Sequence, residues 1–347
     1  MKIIIDTLGG DNPVNSIEGT IMAMRERADL NFILVGDKAV SEPMINKAGL
    51  GSRVEYIQTT ENISFNESPT AALKRSGTSL VMGLDLLKKD ETCAALVSSG
   101  STGALLAGAF LKIGRLEGVS RPTFCPWLPT KRDDVRVVLA DAGANVDCKA
   151  INLVHFALMT DAYVRLSFGI EEPRMGLLNI GTEEHKGNEL TFQTYKVLME
   201  LAEQGKINFL GNMEGRDALS GDYDIIIADG FIGNVLLKAT EGAISLMGQK
   251  VSEVCHAGIK GKIGGLFLRK GFKNMKKTIH QDSTGGSTLL GSKKPVVKAH
   301  GNSSPRGFKN AIMAAAAAGS TELSDEIKRV IAENKELVEK MLTAETK

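Results

Sequence analysis

Of the 347 residues only four are cysteines, at 93, 125, 148 and 255, with no Cys-x-x-Cys pair and no histidine at ligand spacing. They read as reduced thiols of a cytosolic protein, not as a structural zinc site or a disulfide framework. Net charge is nearly absent as well: 42 Lys+Arg against 41 Asp+Glu leave +1, which argues against nucleic acid as the main partner. No uncharged apolar run approaches the ~20 residues needed to span a bilayer. Only Ile3, Ile4 and Ile5 precede Asp6, too little for a signal peptide, so a cytoplasmic location is expected. The chain has no G-x-x-x-x-G-K-[ST], which removes a P-loop kinase, and no G-x-G-x-x-G, which counts mildly against a dinucleotide-binding dehydrogenase.

What the chain does have is repetition. Lys2 to Asp6, Phe32 to Asp37, Val54 to Ile57, Leu96 to Ser99, Val135 to Ala140, Met175 to Ile180, Ile207 to Gly211, Asp224 to Ala228 and Pro295 to Ala299 are apolar runs. Most stop at a polar turn carrying glycine and precede a helical pattern. Asn15 or Ser16 is the expected cap of a helix through Arg27, and a helix from about Pro69 to Lys89 is interrupted at 76 to 79. Strand, turn and helix recur at least six times, the pattern of a parallel sheet covered on both faces, an α/β protein. In such sheets the carboxyl ends of the strands share an edge where ligands sit, so the turns are expected to converge. They would supply hydroxyls (Ser98, Ser99, Ser101, Thr102), carboxylates (Asp141, Asp147, Asp229), amides (Asn145, Asn188, Asn234), the cations Lys186 and Arg216, and His300. The stretch Leu96 to Leu106 is central, because a helix beginning after Ser-Gly-Ser presents unpaired N–H groups to an oxyanion.

Seven motifs carry a family likeness: Asp-x-x-Gly-Gly-Asp (6 to 11), Ser-Gly-Ser-Thr-Gly-Ala (99 to 104), Asp-Ala-Gly-Ala-Asn-Val-Asp-Cys-Lys (141 to 149), Leu-Leu-Asn-Ile-Gly-Thr-Glu-Glu-His-Lys-Gly-Asn-Glu (177 to 189), Gly-Asn-Met-Glu-Gly-Arg-Asp (211 to 217), Asp-Gly-Phe-Ile-Gly-Asn-Val (229 to 235) and Lys-Ala-His-Gly-Asn-Ser (298 to 303). In register from Met1 to about residue 335, the chain resembles the phosphate acyltransferase family, PlsX. Thr7-Leu8 in the first motif and Ser287-Thr288 in the late Gly-Gly segment (285 to 291) depart from the family pattern without removing an ionisable group. The resemblance implies a three-layer α/β/α fold with a mostly parallel sheet, like isocitrate and isopropylmalate dehydrogenases. It also implies a homodimer and transfer of a fatty acyl group from acyl carrier protein to inorganic phosphate for phospholipid synthesis. No cofactor is expected beyond the phosphopantetheine of the carrier, and no metal.

Phosphate dianion is already a nucleophile, so such a reaction asks mainly for orientation and charge stabilisation. The substrate-binding candidates are Ser99, Ser101, Thr102, Gly103, Asn145, Asn188 and Arg216; the catalytic ones are Lys186 against the phosphate charge, Asn234 or protonated His300 toward the thioester oxyanion, and Asp229 orienting the Asn234 loop. Each has a plainer reading. Lys186 stands in a charged surface run, asparagines beside glycine shape turns, aspartates cap helices, and Arg216 suits an ion pair. His155, inside an apolar helix, reads as core. A dehydrogenase of the same fold and a non-catalytic carrier or membrane scaffold are the rival functions.

Residues 1–320 are expected to form the catalytic unit, with a protruding basic amphipathic segment at 258–280, and residues 321–347 a C-terminal helix capped by Ser324. Between Lys260 and Lys277 lie seven basic residues and no acid, interleaved with Leu266, Phe267, Leu268 and Phe272. That combination suits reversible contact with anionic lipid at 260–277, the alternatives being the acidic carrier protein and a second subunit. Leu323, Ile327, Val330, Asn334, Leu337 and Met341 form the seam of the last helix.

Overall fold

The computed structural model describes residues 1–132, 135–279 and 286–344. Gly285, residue 280 of the basic segment and residues 345–347 of the last helix lie outside the described residues. Eleven strands form one sheet: β1 (Lys2–Asp6), β2 (Asn31–Gly36), β3 (Val54–Gln58), β4 (Cys93–Ser98), β5 (Thr123–Pro129), β6 (Arg136–Ala140), β7 (Arg174–Asn179), β8 (Asn208–Glu214), β9 (Ile225–Ile227), β10 (Ser287–Leu290) and β11 (Val296–Lys298). The helices are α1 (Pro13–Glu26), α2 (Lys38–Lys47), α3 (Pro69–Ala72), α4 (Ser79–Lys89), α5 (Thr102–Gly108), α6 (Ala150–Phe168), α7 (Glu189–Glu203), α8 (Gly230–His256), α9 (Gly258–Ile279), α10 (Pro305–Ala318) and α11 (Thr321–Ala344).

The strand order is β3-β2-β1-β4-β11-β10-β5-β6-β9-β7-β8. Parallel pairing joins β3 through β11 and again β6 through β8, while β10 and β5 are antiparallel to both their neighbours. The direction reverses three times across this junction, so the two parallel half-sheets point opposite ways. The strand-end turns therefore do not share one edge, as an all-parallel sheet would require; they divide into two sets. β5 holds the halves together by changing partners, with Thr123–Pro126 on β10 and Trp127–Pro129 on β6. Neither β5 nor β10 is anticipated by the strand, turn and helix repeat, because neither is followed directly by a helix.

Strands buried on both faces explain the unbroken apolar runs. Ile3, Ile4 and Ile5 are fully buried, each stabilising the fold by ~1.5–3 kcal/mol through burial alone. Side chains such as Ile17 and Phe308, from α1 and α10, cover one face of the first half-sheet, and Leu84 and Leu105, from α4 and α5, the other. In the second half-sheet α6, α7 and α11 build the largest core on one face, with a smaller cluster beneath Leu236 and Leu237 of α8 on the other. The outcome is a three-layer α/β/α protein. Leu323, Ile327 and Val330 of α11 are buried in that largest core.

Several caps differ from expectation. Asn12, not Asn15 or Ser16, caps α1, because Pro13 at the first helical position leaves Asn12 Oδ1 to accept from Val14 N. Ser320, not Ser324, receives Leu323 N ahead of α11, and Ser324 lies inside the helix. The helix expected from Pro69 to Lys89 is interrupted, but at 73–78 and not at 76 to 79: α3 ends at Ala72 and Ser79 opens α4.

Candidate active site at the junction of the half-sheets

The first half-sheet presents Asp6, Ser98 and Lys298 at the ends of three neighbouring strands, with Asp6 and Lys298 both in register with Ser98. Asp6 is 2 % exposed and is spent locally: Oδ1 accepts from Leu8 N and Gly9 N, and Oδ2 from Ser98 Oγ at 2.6 Å. Ser98 Oγ in turn accepts from Gly100 N at 3.0 Å, and Ser99 Oγ donates to Gly9 O at 2.9 Å. The turn after β1 and the turn after β4 are thus laced together. Ser101 caps α5, its Oγ accepting from Ala104 N through a lone pair, and among the described residues its proton has no acceptor. Helix continues past α5 as a π-helical turn, Ala109–Ile113. Thr102 is exposed and Gly103 partly so.

Under this turn lies a residue that the sequence places in a strand and at the head of the Lys-Ala-His-Gly-Asn-Ser motif, without a role in the site. Lys298 is 8 % exposed, and its Nζ donates to Ser99 O at 3.0 Å and Ala299 O at 2.6 Å. Burial pushes its ammonium down to about 8, against the upward pull of Asp6 and Asp11, while Lys238 pushes it further down. A lone lysine between Val297 and Ala299 in an otherwise apolar strand was the available signal.

The second half-sheet contributes the loop after β6 and the start of α8. Asp141 is fully buried and accepts from Phe124 N, Ala144 N, Asn145 N and Asn145 Nδ2; burial pushes its carboxyl up against those four donors. Asn145 gives its remaining amide hydrogen to Pro122 O, so both are committed within the protein. Asp229 caps α8, accepting from Phe231 N and Ile232 N. Asn234 is not in a turn but in the second turn of α8, exposed, with its side chain beside Gly143. The start of α8 can press against the loop because Gly230 has no Cβ, which would stand 2.5 Å from Asn145 O.

α8 then crosses to the first half-sheet. Glu241 Oε2 accepts from Lys238 Nζ at 2.7 Å, and its buried Oε1, which among the described residues accepts no hydrogen bond, faces His300 Nε2 at 4.0 Å. This helix therefore brings Asn234, Lys238 and Glu241 along one path from the Asp141 loop to His300. The other candidates have local partners. Lys186 lies beyond the end of β7, its Nζ 3.9 Å from Glu183; Asn188 caps α7; Arg216 is exposed and pairs with Glu214. Among the described residues no hydrogen bond or ion pair joins these three to the serine turn.

An apolar groove of about 1340 Å³ opens beside His300. It runs between β5 and the hairpin of α8 and α9, lined by Trp127, Ile244, Met247, Val251, Leu266 and Phe272, and it reaches Ser287, the strand partner of Lys298. Further out the hairpin exposes large apolar side chains, Ile259 at 79 % and Phe267 at 83 %. No helix among the described residues is long and apolar enough to cross a membrane, and none of their His, Cys, Asp and Glu side chains group to hold a metal.

With this geometry the chain can be set beside known proteins. The family described as Fatty acid synthesis protein matches residues 1–326. A phosphate acyltransferase of Thermoanaerobacterium thermosaccharolyticum is 40 % identical over 333 residues, covering 95 % of this chain and 97 % of the relative. One from Thermoanaerobacter pseudethanolicus is 42 % identical over 314 residues, covering 90 % and 92 %. Among solved structures, a phosphotransacetylase from Streptococcus pyogenes superposes with a TM-score of 0.59 at 18 % identity, covering 92 % of this chain and 94 % of that one. The EutD phosphotransacetylase from Staphylococcus aureus gives 0.57 at 18 %, with the same coverage. These two show the fold.

Proposed function

Because this chain belongs to the fatty acid synthesis protein family, with phosphate acyltransferases as relatives, we propose that it moves a fatty acyl group from acyl carrier protein to inorganic phosphate. A phosphate oxygen attacks the thioester carbonyl, the C–S bond breaks, and the phosphate proton passes to the departing thiol. The products are acyl phosphate, a precursor for phospholipid synthesis, and free carrier thiol. The observation that carries this reading is the meeting of two unlike surfaces at one strand end. The polar turn Ser99–Thr102 suits an oxyanion, and the apolar groove that begins at Ser287 and His300 suits a long alkyl chain.

In this reading Ser101 Oγ and the first amides of α5 hold the phosphate, and the acyl chain lies along α8. Asn234 or protonated His300, at two points of the same helix path, donates to the oxyanion; losing such a donor typically costs ~3 kcal/mol of transition-state stabilisation. Asp229 sets the start of that helix. The carrier brings the acyl group on its phosphopantetheine, so no further cofactor is invoked. The basic hairpin is assigned to an anionic lipid surface, and a second copy of the chain to a homodimer.

The test is incubation with an acyl carrier thioester, with and without inorganic phosphate, trapping acyl phosphate with hydroxylamine. Phosphate-dependent loss of thioester matched by hydroxamate is the expected result. Thioester that survives phosphate, or a chain that instead binds a nicotinamide cofactor, overturns the reading.

A further inference from the structure

We infer that Lys298 is a positioning residue for phosphate: it clamps the Ser99–Gly100 peptide and keeps a positive charge beneath the bound anion. This deepens the reading above and rests on it. The peptide unit between Ser99 and Gly100 is planar, so fixing its carbonyl and its N–H fixes how the chain enters the anion-binding turn. Lys298 Nζ holds the carbonyl at 3.0 Å, and Ser98 Oγ holds the N–H at 3.0 Å. Ser98 is itself anchored on Asp6 at 2.6 Å. One buried chain of hydrogen bonds thus runs from Lys298 across the peptide to Asp6, and it spans residues nearly three hundred positions apart.

A purely structural explanation does not account for the choice of residue. Taking an ammonium out of water is costly, and two carbonyls return only part of that cost. Among Val296, Val297 and Ala299, all buried, an apolar side chain would fill the same space without that cost. The charged groups facing it are Asp6 from β1, Asp11 from the loop before α1 and Lys238 from α8. β4 and β10 bring only serine hydroxyls to this strand end, and α5 carries no ionisable residue. Of the cations on α10, Arg306 is exposed and Lys309 is bound to Glu26. An anion arriving at the turn completes the neutralisation of a charge that is otherwise only partly compensated.

The experiment follows inorganic phosphate with the full chain. Because the free ammonium sits near 8, the phosphate KM of the wild type should rise with pH above that value, by up to about tenfold for one further pH unit. Phosphate is by then mostly the dianion, and what remains of its own titration only adds dianion, which works against the rise. Lys298→Arg, whose cation does not titrate there, should remove the rise. Lys298→Met should raise the phosphate KM roughly tenfold near neutrality, leaving the KM for the acyl carrier much less affected. Should the Met variant fail to fold, calorimetry on the wild type decides. At about pH 9, phosphate binding in buffers of different ionisation enthalpy should show uptake of most of one proton. A pH-independent phosphate KM in an enzyme that turns over, or binding with no proton uptake, overturns the role of Lys298 while the acyl transfer stands. Phosphate binding with proton uptake but no acyl phosphate leaves Lys298 in place and removes the reaction.

Discussion

Replacing Gly9 with alanine tests whether the turns after β1 and β4 are packed backbone to backbone. A Cβ at this position would lie 2.5 Å from Gly100 N, 2.9 Å from Asp6 Oδ2 and 3.0 Å from Gly100 Cα, where real Cβ contacts shorter than 3.0 Å are essentially never seen. None of these neighbours can step aside cheaply. Gly100 is backbone held by Ser98, and the Asp6 carboxylate already accepts from three donors. The two turns must therefore part by about half an ångström. Overpacking of this kind costs ~1–3 kcal/mol, which for a chain of this size lowers the melting temperature by about 1–4 °C. Misplacing a site by an ångström costs about a hundredfold, so half of that displacement predicts a loss of roughly tenfold in kcat/KM for phosphate. Differential scanning calorimetry and phosphate titration of acyl phosphate formation measure the two effects. Gly242→Ala is the control: in α8, with nothing within 4 Å of its Cβ, it should gain up to about 1 kcal/mol of helix propensity. A Gly9→Ala protein with unchanged melting temperature and unchanged phosphate KM would refute the packing of these turns.

Two further outcomes follow from other parts of the molecule. His155 is 7 % exposed, receives Ser120 N on Nδ1 at 3.0 Å, and is pushed by burial down to about 4. The unfolded chain takes up a proton at the ordinary value of 6.5 while the native state refuses it, so stability is full above 6.5 and falls as pH drops towards 4. The loss approaches roughly 3 kcal/mol, and chemical denaturation of His155→Gln across that range should show a smaller fall than the wild type. On the hairpin, charge reversal at Lys270, Lys273, Lys276 and Lys277 should abolish sedimentation with anionic vesicles; unchanged sedimentation would remove the lipid contact.

Much of the framework was legible in the sequence because parallel strands buried on both faces must be written as apolar runs, and β1, β2 and β4 are. The serine turn was legible for a similar reason: Ser101 announces a helix start. β5 was hidden by Pro126 and Pro129, which lack the N–H of a central strand; the structure tolerates them in a strand that changes partners. Without β5 and β10 the reversal of direction is invisible, and the turns after β6, β9, β7 and β8, with Asp141, Asp229, Lys186 and Arg216, are all drawn to the same edge as Ser101. Glu241 and Lys238 escaped notice because a charged pair three residues apart on a helix is ordinarily a solvated one. Only the return of β11 beside β4 gives Glu241 a histidine to face.

That return has a bearing on how the protein is made. Val97 pairs with Val297, and α10 lies over the core that Ile17 and Phe32 help to build. During synthesis β4 leaves the ribosome with an open edge, and the whole second half-sheet follows before β11 emerges to close it. The amino-terminal half must wait, incomplete, for the last fifth of the polypeptide, and the turn it exposes for chemistry is assembled only at that moment.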